Sequence, residues 1–140
     1  MADWMIFAIA SAVFAGLTAI LAKIGVQAIP ASVATLIRTL VILGFIGLVV
    51  AIRHEWMPPG QLNSRSLVFL ILSGLTTGLS WLCYYRALQH GPVSLVAPLD
   101  KLSLVVAIGG SMLILGERLS AWQWLGVSCM TLGAVLLVLQ

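Results

Sequence analysis

Charged side chains are almost missing from this sequence. Of its 140 residues only 8% are Asp, Glu, Lys or Arg, where a soluble domain needs about 25% to cover its surface. That shortage excludes a water-soluble globular fold. The net charge of +3 is spread thinly with no basic run, so nucleic acid is not an expected partner. Cysteine is also sparse: Cys83 and Cys129 lie far apart in apolar sequence, outside any metal-ligand spacing, and are expected to be buried apolar thiols. No cofactor or metal is expected. A secretory signal is not expected either, because Asp3 stands in place of a basic leader and the first apolar run is too long.

What the chain has instead is hydrocarbon-like sequence, 61% hydrophobic with a mean hydropathy of +1.15. Five stretches reach the ~20 residues that span a bilayer: residues 4–28, 31–52, 66–88, 93–115 and 121–140. The fold class expected is therefore an all-α integral membrane protein of five transmembrane helices in one domain, residues 1–140. The stretches are separated by polar breaks, of which RHEWMPPGQLNSR is the longest; its Pro58, Pro59 and Gly60 cannot continue a helix. Ser120 and Gln123 have capping-box spacing at the start of the last helix. Trp4, Trp56, Trp122 and Trp124 lie near segment boundaries, where indole rings anchor to the interface.

The few charges are placed tellingly. A charge at the centre of a membrane helix costs roughly 2.5–3.5 kcal/mol, so one at depth is a functional hypothesis by default. Gly91 and Pro92 end one apolar segment and open the next. Six residues on, Pro98 cannot donate to the carbonyl of Ser94 and predicts a kink. Asp100 and Lys101 follow directly, and Asp100, Ser103, Ala107 and Ser111 share a helix face. At ~1.5 Å per residue from the shared membrane face of the first and third turns, Arg38 and Asp100 each lie about 11 Å deep and Lys23 about 8 Å. An ion pair of Asp100 with Arg38 or Lys23 is the simplest arrangement; the spacing leaves both open.

Small and hydroxyl stripes indicate which helix faces pack. Ala8, Ala12, Gly16, Ala19 and Lys23 form one narrow row on the first helix, of the kind that lets backbones approach closely. On the third helix Gly74, Gly78, Trp81 and Tyr85 form a second row, and Ser73, Thr77, Ser80 and Tyr84 a third beside it. Hydroxyls in such helices bond their own backbone, so packing explains these rows, while the aromatics at the Arg86 end equally suit a cavity wall.

Lys and Arg are nearly balanced between the two sides: Arg53, Arg65 and Arg118 against Lys23, Arg38, Arg86 and Lys101. Without a bias to set orientation, insertion both ways is expected. Two opposed copies of five helices then recreate an inverted-repeat transporter with its site at their interface. Gly126 and Gly133 share one face of the last helix, available for a contact between copies or for ordinary packing.

The runs FAGLTAILAKIG, ATLIRT, LSGLTTGLSWLCYYRALQHGPVSLVAPLDKLS and LGERLS, with a following WLG, resemble the EamA unit of the drug/metabolite transporter superfamily over essentially the whole chain. The resemblance implies one inverted-repeat half of such a transporter, like the small five-helix bacterial branch, and pairing into an antiparallel homodimer. It also implies a secondary transporter and exporter of small metabolites, working by alternating access across the inner (plasma) membrane without ATP hydrolysis. Quaternary-ammonium exporters of that superfamily use an acid in the first helix, and this chain carries Lys23 there. Lys23, Arg38 and Lys101 against Asp100 make the expected site net positive, suited to carboxylate-bearing, amino-acid-like solutes, with Trp81, Tyr84, Tyr85 and Ser103 completing the contacts. The alternative class is a non-transporting membrane subunit or one half of a heterodimeric transporter. Enzymatic chemistry is not expected, since His54 and His90 lie near loops and Asp100 is the only acid at depth.

Overall fold

The computed structural model describes residues 3–139. They form an all-α chain with no strand among the described residues. The helices are α1 (Asp3–Gly25), α2 (Ala31–Arg53), α3 (Ser64–His90), α4 (Val93–Asp100), α5 (Ser103–Gly110) and α6 (Ala121–Leu136). The α4 and α5 helices and a wide turn over Ser111–Leu115 make up one apolar span of 23 residues, Val93–Leu115. Among the described residues four spans are thus long and apolar enough to cross a membrane, and α6, with 16 residues, is a shorter apolar helix. Contacts divide the chain into two units, residues 1–90 and 91–140.

In the first unit α3 is the central element, and both α1 and α2 pack against it. The contact is concentrated at one end. Ala19, Val26, Ala31, Ala34, Thr35, Tyr85 and Leu88 are buried there, while most of the remaining apolar surface, from Phe7 and Phe14 to Phe45 and Phe69, points outward. Water would not tolerate such an exterior, but hydrocarbon does, because lipid exerts no hydrophobic pressure on a leucine. Alanines at 19, 31 and 34 let the helix backbones approach. Of the small row on α1, only Ala19 is buried; Ala8, Ala12 and Gly16 remain outward-facing.

Helix ends follow local chemistry. The α1 helix stops at Gly25, short of residue 28, and a bend over residues 26–29 leads to Pro30, which disfavours helical backbone in the residue before it. The α3 helix starts at Ser64, earlier than its apolar pattern, because the Asn63 carboxamide accepts from the Arg65 N–H at 2.9 Å as an N-cap does. The Ser120–Gln123 capping box is present: the Ser120 N–H donates to Gln123 Oε1 at 2.7 Å, and the Gln123 N–H to Ser120 Oγ at 3.4 Å.

In the second unit α6 packs against α4 and α5. The departure expected at Pro98 lies just past it. Lys101, Leu102, Leu104 and Val105 each donate to the carbonyl three residues back, at 3.0 Å, so the ladder tightens into a turn at Lys101–Leu102 between α4 and α5. The span ends at Gly116, whose φ of +70° suits a residue without a Cβ.

Both cysteines are exposed, which corrects the expectation of buried thiols. In a membrane chain an apolar position faces lipid as readily as protein, so hydrophobic surroundings in sequence do not imply an interior.

Enlarging a contact alanine is expected to wedge the first unit apart. Ala34→Leu should cost about 1–3 kcal/mol and lower the thermal unfolding midpoint of detergent-purified protein. The same change at outward-facing Ala51 should leave the midpoint unchanged.

Candidate functional site

The last three turns of α3 carry Trp81, Tyr84, Tyr85, Leu88 and Gln89, with 81, 85 and 88 on one face. On α2 the buried face runs through Ala31, Ala34 and Thr35, and Arg38 is the next residue along it. Thr35 Oγ1 donates to the Ala31 carbonyl at 2.8 Å, which satisfies that hydroxyl without a partner helix.

Arg38 therefore meets α3. Its guanidinium carbon lies 4.1 Å from the centre of the Trp81 ring and 5.8 Å from that of Tyr85, and its Nη1 donates to the Tyr85 hydroxyl at 2.9 Å. Each of these contacts offsets part of the cost of carrying a charge into hydrocarbon. Arg38 is thus held at depth on aromatic groups within its unit, rather than by a carboxylate. Tyr84 is half-buried beside Tyr85, ring centres 6.4 Å apart.

Lys23 reaches the same helix one turn further on. Its ammonium donates to the backbone carbonyl of Leu88. Gln89 answers from α3, with Nε2 donating to the carbonyls of Val26 at 3.1 Å and Ile29 at 2.8 Å. Two of the three charges expected in one slab are thus brought onto adjacent turns of α3.

A groove of about 410 Å³ runs along α2 and α3 from Trp81, lined by Thr39 and Ile42 on one side and by Leu70, Ser73, Gly74, Thr77 and Gly78 on the other. The small row and part of the hydroxyl row of α3 form its wall together. Thr39 Oγ1 donates to the Thr35 carbonyl and Thr77 Oγ1 to the Ser73 carbonyl, each at 2.8 Å. Their lone pairs stay available, so Thr39 and Thr77 are possible acceptors in the groove, and Trp81 in its lining carries Arg38 on its ring.

The remaining expected site residues belong to the second unit. Asp100 is the last residue of α4, and its Oδ2 lies 3.6 Å from Nζ of neighbouring Lys101. Ser103 is exposed at the start of α5. Within that unit Asp100 takes its adjacent lysine as ion-pair partner. No group of three or more possible metal ligands occurs among the described residues.

Gln89 was not singled out in the sequence, and neither was Thr39 as a groove residue. A signal for Gln89 was present: a carboxamide in the last turn of a membrane-length helix, beside a Gly-Pro break, is badly placed for lipid and well placed to serve carbonyls that proline leaves without an N–H.

Comparison with known proteins adds five findings. The family that matches residues 3–139 is the EamA-like transporter family. An uncharacterised transporter from the cobO 3′ region of Sinorhizobium sp is 50% identical over 135 residues, 96% of each chain. A probable 4-amino-4-deoxy-L-arabinose-phosphoundecaprenol flippase subunit, ArnE, of Aeromonas hydrophila subsp. hydrophila is 36% identical over 69 residues, 49% of this chain and 60% of that one. The subunit of that name from Yersinia pestis (strain Pestoides F) is 28% identical over 80 residues, 57% of this chain and 70% of that one. No solved structure matches the chain significantly.

The Arg38–Tyr85 bond should be measurable as a coupling. A double-mutant cycle of Arg38→Met and Tyr85→Phe, read by unfolding in mixed micelles, is expected to give an interaction energy of about 0.6–1.7 kcal/mol, the range of membrane hydrogen bonds. Additive effects would show that the bond contributes nothing.

Proposed function

The chain belongs to the EamA-like transporter family, and from that premise we propose that it carries small metabolites bearing a carboxylate or similar anionic group, amino-acid-like solutes among them, out across the inner membrane. The observation that supports this reading is Arg38, stacked at 4.1 Å on Trp81, the aromatic residue among those that line the α2–α3 groove. A guanidinium has five N–H donors, and among the described residues one of Arg38's is taken, by Tyr85. The rest suit bidentate recognition of a carboxylate. Trp81 and Tyr84 then pack on apolar parts of the solute, Tyr85, buried, holds the guanidinium from behind, and the groove hydroxyls accept from the solute's N–H groups. The reading includes no catalytic step.

Transport by this reading is alternating access in an antiparallel homodimer. It draws on the near-even division of Lys and Arg between the two sides, and on outward-facing small residues at Ala8, Ala12 and Gly16. Asp100, with Lys101 and Ser103 at the break in the fourth span, is the candidate for proton coupling, through a change of partner between states.

A second reading is favoured by the Aeromonas and Yersinia relatives, which are named as flippase subunits. In it this chain is one half of a heterodimeric transporter, or a non-transporting membrane subunit of one.

Purified protein in liposomes, tested for counterflow against a panel of amino acids, organic acids and lipophilic cations, decides among these. Carboxylate solutes are expected to move, and Arg38→Gln to lower their flux at least about tenfold, the loss of one bidentate charge contact. Movement of lipophilic cations alone would overturn the substrate class. An Asp100→Asn variant that still responds fully to an imposed pH gradient would remove Asp100 from coupling. A single cysteine introduced in α6, with Cys83 and Cys129 replaced by serine, should crosslink to an identical chain; crosslinking only to a different protein favours the heterodimer.

A further inference from the structure

The turns that follow α1 and α3 have the same local gap. In a continuing helix the Val26 carbonyl would accept from the N–H of residue 30 and the Leu88 carbonyl from that of residue 92. Both positions are proline, which has no N–H. The residues concerned are sealed off, Val26 at 1% exposure and Leu88 at 0%, so water is no substitute. Each carbonyl instead receives a donor from the opposite turn. Lys23, just before the first gap, donates to Leu88, while Gln89, in the second, donates to Val26 and to Ile29 beside Pro30.

We infer that Lys23 and Gln89 are positioning residues for the anion site, a reciprocal clamp that sets Arg38 against Trp81 and Tyr85. The geometry carries this in two steps. Ile29 and Pro30 lead directly into α2, and Arg38 lies two turns along it, so holding the Ile29 carbonyl fixes the start of the helix that presents the guanidinium. Gln89 lies one turn beyond Tyr85 on α3, so the clamp ties α2 to the same stretch of α3 that receives Arg38. The ammonium of Lys23 then serves as a backbone donor at the negative end of the α3 dipole rather than as a second ligand for the solute. This rests on the reading of Arg38 as the solute's anchor.

The test is a donor series at Gln89 in the full chain, in liposomes. Gln89→Met keeps the length and removes the donor; Gln89→Lys restores a donor. Loss of the donor is expected to raise KM for the transported carboxylate about fivefold to twentyfold with kcat within about twofold, since positioning for binding is lost. Gln89→Lys should bring KM back to within about threefold of the parent. A wild-type KM in Gln89→Met, or a fall in kcat alone, would overturn the inference.

A structural readout stands beside the flux. Spin labels at exposed positions 27 and 87, in a background with Cys83 and Cys129 replaced by serine, should give a narrow distance distribution in nanodiscs that broadens in Gln89→Met and narrows again in Gln89→Lys. An unchanged distribution also overturns the clamp. If the unsubstituted protein moves no carboxylate, the substrate reading fails, and the label distances alone decide whether the clamp exists.

Discussion

A backbone carbonyl in hydrocarbon must find its donor within the protein, because no water is present to supply one. That constraint governs the end of the molecule where its charges gather. Prolines at 30 and 92 withhold the N–H groups that would have served Val26 and Leu88, and side chains capable of the replacement bond, Lys23 and Gln89, occupy the opposite turns. The buried contacts of the first unit surround these bonds: Val26 and Leu88 are its most completely enclosed large side chains. Elsewhere its surface is left to lipid. Tight packing here is a local consequence of polar satisfaction, since apolar side chains gain little by leaving lipid for protein.

The same logic separates the two basic residues that reach α3. A lysine ammonium is a compact, mobile donor, and it goes to a carbonyl. An arginine guanidinium is planar and delocalised, and it goes to a ring face and a phenol. Exchanging them would serve neither place: an ammonium stacks less well on Trp81, and a guanidinium is bulkier than the turn at Leu88 requires. The two cations, from α1 and α2, thus meet neighbouring turns of α3 in different ways, one bonded to backbone and the other stacked on an aromatic ring.

Much of this was legible in the residues. The all-α membrane class follows from the scarcity of charge and the length of the apolar runs, and the capping box at Ser120 and Gln123 formed as its spacing indicated. Residues Arg38, Trp81 and Tyr85 were separately visible as candidates, one charge at depth and two aromatics on a small-residue row. Their union was not, because a row on α3 says which face is crowded but not which helix crowds it. Helix limits shifted where a local device outweighed hydropathy, as Asn63 does for α3 and Pro30 for α1. The cysteines were misplaced for a deeper reason: burial is inferred from apolarity by assuming water outside. Gln89 escaped notice because its meaning depends on two prolines sixty residues apart acting on the same place.

The fourth span is interrupted just past Pro98. Successive bonds to the carbonyl three residues back, from Lys101 to Val105, leave the backbone at Lys101–Leu102 less regular than a lipid-facing helix permits. Asp100 and Lys101 sit at that point with side chains 38% and 59% exposed. Irregular backbone at membrane depth persists only where protein covers it or water reaches it, and a carboxylate–ammonium pair that exposed has the same requirement.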